Sequence, residues 1–296
     1  MKIVGVIGLG KMGKPMACRL IQAGYTVIVH SRSPGPVEEV VALGAAGAPT
    51  PRDLASQADV IITSLPDSSA VELVFLGEKG IREGASQNSV LVDTSTIDPQ
   101  TSRRIASVLL QQRVEMLDAP VSGGQAGAIA GTLSIMVGGP ETAFKRVLPV
   151  LEQLGRTITH MGPSGTGQLT KLANQIIVAV NYVAIAEGLV LGAKAGLDPV
   201  KLIQALQGGL AQSRCLELKG ERIIDGNYEP TGRLTLHIKD LRYALQTAHS
   251  LGVPLPITSM VHQYFEATRA AGRGDWDHSA VVTLFEDWAG VKIRQS

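Results

Sequence analysis

Lys171 heads the run TKLANQIIVAVNYVAIAEGLVLGAKAG, with Asn174 and Gln175 three and four residues further on. Residues at that spacing share a helix face, so an ammonium and one or two amides would point the same way from an apolar helix. Desolvation disfavours the charged form of a buried lysine, and a lysine brought toward neutrality can protonate a developing alkoxide. The plain alternative is a lysine whose stem packs while its head reaches water. A second segment, LDAPVSGGQAGA, ends a strand in a loop with Ser122, Gly123 and Gly124. Such a loop can present a hydroxyl and successive backbone N–H groups to a carboxylate, and loops at the carboxyl ends of parallel strands are where ligands bind. Without a ligand it is a simple glycine turn.

A third segment, GVIGLGKMGKP, spaces Gly8, Gly10 and Gly13 as GxGxxG, with Leu9, Lys11 and Met12 between them. Gly8 permits a tight turn, Gly10 lets a pyrophosphate approach the backbone, and Gly13 allows close helix–sheet packing. The helix after it offers its N-terminal N–H groups and positive dipole end to the phosphate. A strand before and a helix after favour nucleotide binding over an empty glycine turn. An NAD site carries an acid about 20 residues on, to hold the ribose hydroxyls. Here the second strand ends in His30, Ser31, Arg32 and Ser33, with no acid until Glu38. A carboxylate would repel a 2′-phosphate, whereas two serines and an arginine would bind it. The expected cofactor is NADPH, with NADH second.

These groups need a scaffold, and the first half of the chain supplies one. KIVGVIGL, TVIVH, DVIITSLP, SVLVDTST, VEMLDAP, TLSIMVGG and TITHMG read as strands. GKPMACRLIQAG, PQTSRRIASVLLQQR and PETAFKRVLPVLEQLG read as helices between them. This alternation is the signature of an α/β domain with a parallel sheet covered on both faces. After GPSGTGQ helical periodicity takes over, including DPVKLIQALQ with Asp198 as N-cap. The expected organisation is a dinucleotide-binding domain over residues 1–162 and an all-helical domain over 163–296.

Bulk properties exclude several classes. A formal net charge of +1 in 296 residues provides no field for nucleic acid or anionic lipid. Cys18 and Cys215 have neither a disulfide framework nor metal-ligand spacing, and His160, His237, His249, His262 and His278 are scattered, so no metal is expected. The apolar N-terminus is short, has three glycines and lacks a cleavage site, which points to the cytoplasm. Asn174, Gln175, Asn181 and Glu187 interrupt the long apolar run, so it reads as a core helix and not a membrane span.

Taken together, GVIGLGKMGKPM, DAPVSGGQAGAIAGTLSIMVGG, GQLTKLANQIIVA and LTLHIKDLRYAL resemble, in order and spacing, the β-hydroxyacid dehydrogenases over essentially the whole chain. TKLANQ, QGGLAQS, LHIKDL and DHSA most resemble the tartronate semialdehyde reductase branch. The resemblance implies a Rossmann domain followed by a helical domain of the 6-phosphogluconate dehydrogenase-like type. It implies Lys171 as the catalytic lysine, Ser122, Gly123 and Gly124 as the carboxylate loop, and Lys239 as a second lysine near cofactor and substrate. It also places Ser95 and Thr96 beside the nicotinamide, and Leu65 and Pro66 over the adenosine half. Asn174 or Gln175 supplies the amide that the family carries after its lysine. The implied substrate is a small anionic semialdehyde or hydroxyacid, and the implied assembly a homodimer or homotetramer. 3-Hydroxyisobutyrate, glyoxylate and succinic semialdehyde remain alternative substrates, and a nucleotide-binding scaffold without chemistry remains the non-enzyme reading.

Overall fold

A computed structural model describes residues 3–294, so Lys2, where the first strand was expected to open, lies outside the described residues. The chain divides into two compact units, Met1–Lys171 and Leu172–Ser296. In the first, the strands are β1 (Ile3–Ile7), β2 (Thr26–His30), β3 (Ala46–Gly47), β4 (Val60–Thr63) and β5 (Val90–Asp93). They continue with β6 (Glu115–Asp118), β7 (Val121–Ser122), β8 (Leu133–Gly138) and β9 (Gly155–Gly162).

Strands β3-β2-β1-β4-β5-β6 run parallel in that order. The order reverses between β1 and β4, which opens a crevice at their carboxyl ends. Successive residues bury on opposite faces, so β-branched runs appear wherever both faces are covered. Val4, Val6, Val60, Ile62, Val90 and Val92 pack into one core layer. Ile7, Ile28, Ile61, Leu91 and Met116 pack into the layer on the other face. The helix Gly13–Gln22 buries Met16, Ala17 and Leu20 on the first of these.

The expectation of a wholly parallel sheet needs correction at its far end. After β6 the chain continues, extended, through Ala119 and Pro120 into β7, and this stretch pairs antiparallel with β8 in one unbroken register. Asp118 lies opposite Gly138, Val121 opposite Ile135 and Ser122 opposite Ser134. The cause is the short connection. The seven-residue helix Gly124–Ala130 covers about 10 Å, too little to carry the chain back along a strand of roughly 20 Å. β8 therefore starts near where β7 stops, and β9 then pairs with it in parallel.

In the second unit the long helix Thr166–Lys194, begun in the first, continues. It is joined by helices Pro199–Gln207, Arg214–Ile224, Leu234–Ser250, Pro256–Thr268 and Val282–Ala289. Asp198 caps Pro199–Gln207 through the N–H groups of Val200 and Lys201, a favoured use of an aspartate. Ala179, Tyr182, Val183, Ala186 and Leu189 of the long helix enter the core with Leu234, Leu241, Val261 and Phe265. By length and composition this helix is long and apolar enough to cross a membrane; here one face of it packs in the core of the unit. A carboxylate anchors the unit's loops. Asp277 is fully buried and accepts from Lys219 Nζ at 2.7 and 2.8 Å, Thr231 N at 2.9 Å and Ser279 Oγ at 2.8 Å. Burial pushes its carboxyl up, but His278, Lys219 and these donors outweigh it and hold it well below the usual carboxylate range.

Candidate active site

The glycine turn lies where the sheet order reverses. Gly8 has φ +91°, and a Cβ there would lie 2.3 Å from the carbonyl oxygen of Ser64, just past β4. Its N–H donates to the carbonyl of His30 at 2.9 Å. A Cβ on Gly13 would come 1.9 Å from the carbonyl of Gly8, so the first helix seats directly on the turn. Gly10 differs: nothing lies within 4 Å of a Cβ placed on it, and its φ is not in the positive region. The protein's own packing therefore does not require glycine at position 10. The backbone there is open on that side, the setting in which a glycine would serve the approach of a ligand and not the fold.

Side-chain hydrogen bonds link the neighbouring strand ends. Leu65 N donates to Ser95 Oγ at 2.9 Å, tying the segment after β4 to the segment after β5. Asp93, at the end of β5, accepts from Thr63 Oγ1 at 2.8 Å and Ser95 N at 3.1 Å. Burial pushes its carboxyl up to about 6, against opposing hydrogen bonds from Ser95 and Thr63. Asp118, at the end of β6, receives the start of the long helix: Gly165 N donates to it at 2.7 Å and Gln168 N at 2.9 Å. Burial raises Asp118 to about 6 as well, although backbone N–H groups pull it down. Gln168 is fully buried; its Oε1 accepts from Ile97 N at 3.1 Å and its Nε2 donates to Ser95 O at 2.8 Å. Lys171 comes one turn later and is 7% exposed.

The structure thus brings Gly8, Leu65, Ser95 and the turn before Lys171 into one connected set. His30 joins that set through its backbone carbonyl, which accepts from Gly8 N. His30 turns its Nδ1 to the carbonyl of Ala48 at 3.0 Å, so its ring is held by the protein. Ser31 is half-buried and Arg32 and Ser33 are exposed, beside the helix Pro34–Val41 whose N-cap is Ser33. Ser122, Gly123 and Gly124 do not form an open loop. Ser122 ends β7, Gly123 caps the next helix with φ +131°, and Gly124 opens it with φ +63°. The φ of Gly123 suits glycine alone and that of Gly124 is left-handed, so the backbone turns sharply just past the continuation of β6.

In the second unit, Asn174 and Gln175 are half-buried on the long helix. Gln175 Nε2 donates to Asp240 Oδ2 at 2.7 Å, and Lys239 Nζ lies 3.1 Å from Asp240 Oδ1 and 5.5 Å from the centre of the Tyr243 ring. Sequence reasoning missed Asp118, Gln168 and Asp240. Asp118 and Gln168 pair across about fifty residues, so no local pattern marks them. Asp240 sits beside Lys239 in LHIKDL, where a charged pair reads as helix surface.

A GxGxxG turn at the sheet reversal, followed by a helical unit, is an arrangement suited to a dinucleotide, and the comparisons give the class, an NAD(P)-dependent oxidoreductase. The profile of the NAD binding domain of 6-phosphogluconate dehydrogenase matches residues 3–162. That described as NAD-binding of NADP-dependent 3-hydroxyisobutyrate dehydrogenase matches residues 165–285. The chain is 45% identical over 291 residues to 2-hydroxy-3-oxopropionate reductase of Escherichia coli (strain K12), covering 98% of this chain and 99% of that one. It is 39% identical to 2-(hydroxymethyl)glutarate dehydrogenase of Eubacterium barkeri, covering 98% and 97%. The crystal structure of 3-hydroxyisobutyrate dehydrogenase from Salmonella typhimurium superposes with a TM-score of 0.88 at 29% identity, covering 96% and 100%. The chain belongs to the 3-hydroxyisobutyrate dehydrogenase-like family of NAD(P)-dependent hydroxyacid dehydrogenases. The reading as a scaffold without chemistry is set aside.

The contrast between the glycines can be measured. Gly10→Ala should unfold like the wild type yet bind NAD(P)H at least about tenfold more weakly. Gly8→Ala should lose stability, by about 1–2 kcal/mol for the positive φ alone. Urea unfolding and cofactor fluorescence titration separate the two, and unaltered binding by Gly10→Ala would remove the pyrophosphate from that position. Asp93 makes stability depend on pH. Its folded carboxyl titrates near 6 and its ordinary value is 3.8, so its contribution to stability is greatest below about pH 4 and is lost as pH rises through 6. Asp93→Asn keeps an acceptor for Thr63 and Ser95 but cannot ionise. It should gain on the wild type by roughly 3 kcal/mol between pH 4 and pH 7. A difference that stays flat with pH in urea unfolding would refute the assignment.

Proposed function

We propose that the protein reduces a short semialdehyde acid, tartronate semialdehyde to D-glycerate, with NADPH as the preferred cofactor and Lys171 as the proton donor. The observation that carries this is Lys171 itself, 7% exposed and one turn beyond the bonds that pin its helix to the sheet. The reduced nicotinamide supplies, when bound, a hydride to the aldehyde carbon. Ser95 and Thr96 line its seat, with Leu65 and Pro66 toward the adenosine half and the turn from Gly8 to Gly13 (Leu9, Lys11 and Met12 included) under the phosphates. Ser31, Arg32 and Ser33 accept a 2′-phosphate. Ser122 and the N–H groups around Gly123 and Gly124 hold the substrate carboxylate. Lys171 Nζ passes a proton to the oxygen of the reduced carbonyl, and in the reverse direction takes it back.

Asn174 and Lys239 complete the substrate side. Gln175 serves by holding Asp240, whose other oxygen faces Lys239. The substrate assignment rests on the 45% identity to the 2-hydroxy-3-oxopropionate reductase. Two free cysteines, Cys18 and Cys215, accord with a cytoplasmic setting. We further infer a homodimer or homotetramer, because the long helix leaves Ile177 62% and Leu191 72% exposed; a monomeric mass by light scattering would end that inference.

The test is a set of initial rates with tartronate semialdehyde, succinic semialdehyde and glyoxylate, each with NADPH and NADH. The expected result is the highest kcat/KM for tartronate semialdehyde with NADPH. Faster turnover of either comparison substrate moves the protein to a neighbouring reductase with the same chemistry. Lys171→Ala should fold, bind NADPH and lose about 10³-fold in kcat; wild-type rates would sink the role given to Lys171.

A further inference from the structure

Gln168 lies outside the residue types that carry out the reaction, yet its side chain makes an unusual pair of bonds. It is fully buried, and its amide clamps two backbone groups that flank one residue: Ser95 O accepts from Nε2 and Ile97 N donates to Oε1. The residue between them is Thr96. The backbone N–H of Gln168 is bound to Asp118 Oδ2, so its main chain and its side chain are both fixed to strand ends of the first unit. Close packing leaves this turn little freedom. A Cβ on Gly167 would lie 2.4 Å from the carbonyl of Met136 and 2.5 Å from that of Asp118. Lys171 stands three residues beyond Gln168, on the same face of the helix.

We infer that Gln168 is a positioning residue, which sets the Ser95–Ile97 segment against the helix turn bearing Lys171 and so fixes the hydride-donor side relative to the proton donor. This rests on the reading of Lys171 above. The residue type is what such a role demands. A buried side chain that must accept from one backbone group and donate to another two residues away needs an amide. A methionine would fill the volume but leave Ser95 O and Ile97 N unpaired. A glutamate would keep the bond from Ile97 N but set an oxygen against Ser95 O, and only its protonated form could donate there.

A double-mutant cycle with Lys171 supplies the test, because residues that act through one another are non-additive. Gln168→Met should keep NADPH binding within a few-fold and lose about 10²-fold in kcat, as displacement of a reacting group by an ångström does. The loss should fall on kcat and not on KM for the aldehyde. In a Lys171→Met background the same change should cost little more, since the group it positions is gone. Full additivity, or an unaltered kcat in Gln168→Met, overturns the inference and leaves Lys171 standing. Wild-type turnover by Lys171→Met fells the reading of Lys171 and this inference with it. Should Gln168→Met fold poorly, Gln168→Glu gives a second route. Its kcat relative to wild type should recover as pH falls and the buried carboxyl gains its proton; a deficit constant with pH overturns the positioning role.

Discussion

The carboxylate of Asp118 carries the junction on which the candidate site depends. It lies at the point where β6 stops pairing with β5 and starts pairing with β8. Backbone N–H groups of Gly165 and Gln168 converge on it, so the first turn of the long helix docks end-on against the sheet. Negative charge at a helix N-terminus is favourable, and the unpaired amides of that first turn need acceptors. Burial opposes this by raising the carboxyl to about 6. The contest explains why glycines surround it: a Cβ on Gly138 or on Gly167 would lie within 3 Å of its oxygens. A bulkier neighbour would separate donors from acceptor, and the buried charge would then lack compensation.

The same arrangement recurs in the second unit. Asp277 gathers Lys219, Thr231 and Ser279, and Asp240 holds Gln175 and faces Lys239. In each case a buried carboxylate ties together groups distant in sequence, Asp277 through several donors and Asp240 through the Gln175 amide. The outcomes differ with the donors. Asp277 has a full ammonium and stays ionised, whereas Asp93 has two neutral donors and is pushed up to about 6.

How much was legible in the sequence depends on the range of each interaction. Strands such as Thr26–His30 and Val60–Thr63 were readable because burial on both faces selects β-branched residues locally. The burial of Lys171 was readable by type, as a lysine in an apolar run. Gln168 and Asp118 were not, because their partners lie 47 to 73 residues away. The antiparallel turn into β8 was missed because strand–helix alternation does not report the length of the helix between. The helix Arg214–Ile224 was also passed over. Its charges and Gly220 disguise a buried stripe of Leu216, Gly220 and Ile223, in which a Cβ on Gly220 would sit 3.1 Å from Ile203.

The long helix shows how a site can imitate something else in composition. Its polar groups crowd into the opening turns, from Gln168 through Lys171 to Asn174 and Gln175, and most of its remaining length is apolar. In a bilayer the lysine alone would cost about 3 kcal/mol and a buried amide would need a partner. Here the amide of Gln168 has two partners, and the helix buries Leu172, Ala179, Val183 and Leu189 in protein. The apolar body is thus the counterpart of the polar start. The opening turn is tied to the strand ends through Asp118 and Gln168, and the apolar side chains follow on the turns beyond it. Many of the residues that make the run look membrane-like are those that the helix buries in the core of the second unit.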